Sequence, residues 1–148
     1  MAIEHKLLLK KPIITIEQLV DYCVEHFINF ELLEDNSIYI DAWGLRISLQ
    51  FGEDYYIYQF QENNADFIYG EMILFRLGKD SVFWEEQMKF IIDVVFLLMS
   101  KNKQEGIFIY NMDNAICYFK SDGSIKKMND ISMIERFFTD KSFFDKEQ

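Results

Sequence analysis

The chain has 148 residues, half of them hydrophobic and 17% aromatic, which excludes a disordered protein and provides for a sizeable core. A formal charge of −10 disfavours a nucleic-acid backbone as partner, and two cysteines exclude a disulfide framework. One Pro and six Gly leave little for linkers, so residues 1–148 are read as a single domain.

The opening run "MAIEHKLLLKKP" has charges on both sides of its apolar part and lacks the cleavage site of a signal peptide. Ile3 to Lys10 reads as a first strand, expected at a sheet edge from its lysines and ended by Pro12. Thr15, with Gln18 three residues on, is a capping-box pattern. Ile16, Leu19, Val20, Cys23, Phe27 and Phe30 then recur at helical spacing, with Glu17, Asp21 and Glu25 on the other side. In "SIYIDAWGLRISLQF", Leu45, Ile47, Leu49 and Phe51 alternate with polar residues, the period of a half-buried strand. "YYIYQFQ" reads as its return strand, and "FIYGEMILFRL" as a longer strand buried on much of both faces.

Asp80 or Ser81 can cap a second helix, whose stripe is Trp84, Met88, Ile91, Ile92, Val95, Leu98 and Met99. Its greasiest part, Phe90 to Met99, contains Asp93 and is far too short for a membrane span of about 20 residues. "GIFIYNMDNAICYFKSDGSIKKMND" follows, with hairpin turns expected at Asp113-Asn114 and Asp122-Gly123. With the first pair as a two-residue loop, Tyr110 faces Cys117 and Phe108 faces Phe119. A short last helix is expected from Asp130. The whole is α+β: an antiparallel sheet of about six to seven strands, two main helices packed on it and a short C-terminal helix.

Motifs for chemistry are weak. Cys117 falls on an apolar strand face with no base or cation beside it, so it reads as a small core hydrophobe and not as a nucleophile. Cys23 and His26 share helical spacing, but His5 is the other histidine, too little for a structural zinc. No phosphate-binding glycine loop, HExxH or GxSxG occurs, and nothing singles out a carboxylate pair. The expectation is a non-enzyme, without catalytic residues, metal or cofactor.

The distribution of charge says more than its sum. Residues 12–75 hold twelve Asp/Glu against the single cation Arg46, whereas residues 76–148 hold twelve acids and eleven Lys/Arg. A field of that kind favours solubility and also draws in cationic partners. Aromatics beside the acids supply contact area.

The pattern of "MILFRL", a long apolar helix, then Glu105-Gly106-Ile107-Phe108-Ile109, Ala115 to Phe119 and Asp122-Gly123-Ser124, ending at Asn129, resembles the swarm-inhibition (Sit) immunity proteins of bacterial polymorphic toxin systems. Leu7 to Leu9 and the Ile16 to Cys23 stripe fit the start of that family's pattern. Glu105-Gly106 departs from its Gly-Asp order. The resemblance implies an immunity domain over residues 1–148, in the cytoplasm, which binds a cognate protein toxin and brings no catalytic residues to carry over. A nuclease toxin with a basic active site would suit the acidic segment.

The expected contacts are Glu34, Asp35, Asp41, Glu53, Asp54, Glu62 and Asp66, with Trp43 and Tyr55 as aromatic anchors, all in turns or at strand ends. Neither nucleic acid nor a membrane is expected as a partner, and the chain is expected as a monomer or homodimer. The alternative is a secretion chaperone or adaptor that grips a partner through exposed apolar and aromatic surface.

Overall fold

The computed structural model describes residues 2–12, 14–51, 57–78, 82–111 and 114–128. Strand β1 (Ala2–Leu9) lies near the middle of the main sheet, paired with a strand on each side, and not at the edge that its lysines suggest. Helix α1 (Ile16–Glu25) follows, then β2 (Glu31–Leu32), β3 (Ile38–Ile40) and β4 (Leu45–Phe51). A small hairpin of β5 (Tyr58–Gln59) and β6 (Asp66–Phe67) leads to β7 (Glu71–Gly78) and helix α2 (Trp84–Lys101). Strands β8 (Gly106–Tyr110), β9 (Asn114–Phe119) and β10 (Ile125–Lys127) complete the described chain.

The main sheet runs β10-β9-β8-β1-β7-β4-β3-β2, and its pairings are antiparallel. It has eight strands where six to seven were expected. The difference arises at one edge. The turn Asp41–Gly44 splits residues 38–51 into β3 and β4, with Gly44 at φ +62, and the two-residue β2 adds a further strand. The expected last helix lies outside the described residues. So do Asp80 and Ser81; the residue at the α2 cap position is Phe83, which makes no side-chain cap bond.

The sheet buries both faces, by different means. Leu7, Leu9, Ile47, Ile73, Phe75 and Phe108 point to the face that α1 and α2 cover, and form the main core with Leu19, Met88, Ile91, Val95 and Phe96. Leu8, Met72, Ile107, Ile109 and Ala115 point the other way, where Tyr58, Phe67 and Tyr69 cover them. The return strand expected at Tyr55 to Gln61 is therefore not a neighbour of β4. Residues 58–59 pair with 66–67 instead, and β4 pairs with β7. The aromatic alternation that suggested a strand serves a second core.

Helix α1 begins with a complete capping box between Thr15 and Gln18, as the sequence predicts. It ends earlier than its apolar spacing predicts. His26 is the C-cap; the Ile28 amide donates to the Cys23 carbonyl at 2.8 Å, and the Phe27 amide to that of Val24 at 3.2 Å. These two bonds define a Schellman motif. Phe27 is thus outside the helix and 95% exposed, not part of the buried stripe.

The β8–β9 hairpin also departs from its predicted register. A bulge between Phe108 and Ile109 sets Phe108 opposite Cys117 and Tyr110 opposite Asn114. Cys117 remains fully buried in the main core. The second turn is as expected: Gly123 takes φ +92, and its amide donates to the Lys120 carbonyl.

Candidate protein interface

The β2–β3 turn is built by Asp35. Its Oδ1 accepts from the Ser37 amide at 3.0 Å and the Ser37 hydroxyl at 2.6 Å, while its Oδ2 accepts from Arg46. The Ser37 bonds first, then the guanidinium, hold the Asp35 carboxyl below its ordinary range. Arg46, the single cation of the acidic segment, is therefore matched to Asp35 and also donates to the Ser37 hydroxyl at 3.0 Å. Glu34 is exposed in the same turn.

Asp41 is exposed in the next turn, β3–β4. Trp43, in that turn, is half-buried and set against Phe90 of α2, with ring centroids 5.4 Å apart. Its carbonyl accepts from the Gln87 side chain. Trp43 thus braces the turn against the start of α2, and only part of its ring meets solvent.

Glu62 and Asp66 are elsewhere. Both are on the β5–β6 hairpin: Glu62 pairs with Lys126 of β10 at 3.1 Å, and Asp66 accepts from Gln59 at 3.2 Å. Strand β10 is at one end of the sheet and the β2–β3 turn at the other. Seven strand spacings separate the two, roughly 30 Å. The expected contact set is therefore divided: Glu34, Asp35, Asp41 and Trp43 are at one edge, Glu62 is at the other, and Asp66 is on the hairpin that covers the second face. Glu53, Asp54 and Tyr55 lie outside the described residues.

A further set of acids lies along α1. Glu17, Asp21 and Glu25 are exposed along α1, and the chain passes from α1 into the edge strand at Glu31, also exposed. Residues 12–45 contain seven acids and no Lys or Arg, a run that names this edge in sequence. Large apolar side chains are exposed along it too: Val24, Phe27 and Leu32. Beside it, a groove between the helices is lined by Leu19, Tyr22, Val94 and Leu98, with Asp21, Glu25 and Lys101 around it.

Among the described residues, both histidines and the Cys23 thiol have definable settings. His5 is buried, stacked on Tyr110 at 4.6 Å, and its Nδ1 accepts from the Asn111 amide at 2.9 Å. Burial, then the neighbouring Lys6 charge, pushes its pKa down to about 4, so the ring is neutral. Burial pushes the Cys23 thiol up to about 11, the opposite of what a nucleophile needs. The His26 Nδ1–H donates to the Tyr22 carbonyl at 2.9 Å. Among the described residues no three His, Cys, Asp or Glu come together as a metal site, and no helix is long and apolar enough to cross a membrane.

No protein-family model, curated protein or solved structure matches the chain.

Proposed function

We propose that the chain is a non-catalytic inhibitor of the immunity type, which binds a cationic toxin domain and covers its active site. The observation that supports this reading is the α1–β2–β3 edge. It offers Glu17, Asp21, Glu25, Glu31, Glu34 and Asp41 to solvent, and the one Arg of the acidic segment is already paired with Asp35. An edge of that composition steers a positively charged partner and repels anionic ones. Exposed Val24, Phe27 and Leu32 supply the apolar area that charge alone does not. On this reading Glu34 and Asp41 are contacts, and Asp35 keeps the turn in shape.

Growth tests the proposal. The C-terminal domain of the protein encoded immediately upstream is expressed alone and together with this chain. Toxicity that co-expression relieves is the expected result. A harmless upstream domain, or toxicity that persists despite co-expression, contradicts the proposal.

The adaptor reading draws on the same exposed apolar residues, together with Val82 and Phe83 before α2. It predicts binding that is insensitive to salt, where the inhibitor reading predicts an association rate that falls as salt rises.

A further inference from the structure

Phe27 stands in a conformation that its chemistry resists. Its φ is +56, the left-handed region, in the C′ position of a Schellman motif that glycine normally fills. A bulky residue there is an outlier and is strained by roughly 1 kcal/mol or more. Strain of this kind is tolerated where the side chain packs, but Phe27 is 95% exposed. The hydrophobic contact that closes the motif is provided by other residues, Ile28 against the core that contains Cys23. Among the described residues, then, the side chain costs backbone strain and exposed apolar area, and no packing contact offsets either.

The surroundings indicate what would. Val24, one turn before, is 60% exposed, and Leu32 in the edge strand is 51% exposed. Leu32 pairs with Ile38 and so stands on the helix-covered side of the sheet, the side α1 occupies. Asp21, Glu25 and Glu31 border these three apolar side chains in the chain, and all three acids are exposed. An apolar knob among exposed carboxylates, with Lys101 as the cation lining the neighbouring groove, is poorly matched to a second copy of the same acidic edge. It matches a surface that carries Lys or Arg around an apolar pocket.

We infer that Phe27 is the anchor of a protein-binding surface made by the end of α1 and β2, and that its partner is a cationic protein face with an apolar pocket for the ring. This deepens the reading above and rests on it for the sign of the partner's charge. The residue is kept for binding at the expense of stability, so the two properties must separate on substitution.

The test uses the full chain, Phe27→Gly and Phe27→Ala. In urea denaturation Phe27→Gly is expected to raise the folded-to-unfolded ratio about fivefold, by relief of the left-handed strain. Phe27→Ala keeps the Cβ and is expected to change the ratio by less than about twofold. Loss of stability in both variants would show that the ring supports the fold and would overturn the inference. Binding is read with a random-peptide phage library panned on the wild-type chain. Lys/Arg-rich peptides carrying a large apolar residue are expected, with affinity at least about tenfold lower for both variants. Failure to enrich cationic peptides, or binding indifferent to both variants, overturns the inference. So does a wild-type dimer that Phe27→Gly dissociates, because the occupant is then a second copy. The library does not involve the upstream domain. The toxin reading can therefore fail in the growth assay while Phe27 passes, or the reverse.

Discussion

Of the left-handed positions, Gly123 and Phe27 lie toward opposite edges of the sheet and are filled differently. In the β9–β10 turn the residue is Gly123, with Asp122 accepting from the Ser124 amide at 2.8 Å and hydroxyl at 2.6 Å. This is the low-cost solution. At the end of α1 the residue is Phe27, exposed and flanked by acids. The first turn is fully explained by the fold it closes. The second is not, and the difference locates where to look for function. Charge follows the same division: Lys120, Lys126 and Lys127 belong to the Gly123 edge, whereas residues 12–45 have no cation at all.

The largest effect expected on the Gly123 side of the sheet comes from acid. His5 ties β1 to the Asn111 amide at the end of β8 and titrates near 4 when folded, against an ordinary value of 6.5. Between those values the unfolded chain binds a proton that the folded chain does not, so stability falls as pH drops from about 6.5 to about 4. The loss attributable to His5 is of order 3 kcal/mol. Denaturation at a series of pH values checks this, and His5→Asn should flatten that part of the profile. Hydrogen exchange should show the Asn111 amide opening before the α1 edge does.

Next in size, Gly123→Ala is expected to destabilise by about 1–2 kcal/mol, because its added Cβ must adopt φ +92. That is the opposite sign to the gain expected for Phe27→Gly. Equal signs at the two positions would erase the contrast between the edges. The smallest effect is expected for Lys126→Ala. It breaks the exposed Glu62–Lys126 pair and should cost at most about 1 kcal/mol in denaturant unfolding. A larger loss would mean that the pair holds the β5–β6 hairpin onto the second face.

Sequence periodicity located the main elements because they are amphipathic: Leu45, Ile47 and Leu49 alternate, and Ile91, Ile92 and Val95 keep helical spacing. It misplaced Phe27 because Cys23 and Phe27 are four apart, a helical interval, and no glycine marks the stop. It gave Tyr58 to a meander because alternation names a strand without naming its neighbour; that choice depends on which apolar face lacks a cover. The bulge at Phe108/Ile109 left no mark in residue type, so the Cys117 register shifted while its burial did not. For the candidate site, the acidic run was legible but its division was not. Glu62 and Asp66 follow Asp41 in sequence, but they lie on the β5–β6 hairpin, which packs on the second face and pairs through Glu62 with β10.

The measurement closest to the central claim is the association rate of this chain with the domain encoded upstream, by stopped flow at low and high salt. The wild-type chain and Glu34→Lys/Asp41→Lys are to be compared. The expected result is a wild-type rate that falls at least about tenfold with added salt, and a double variant that associates slowly and is nearly insensitive to salt. Equal rates for the two chains at both salt concentrations would contradict it.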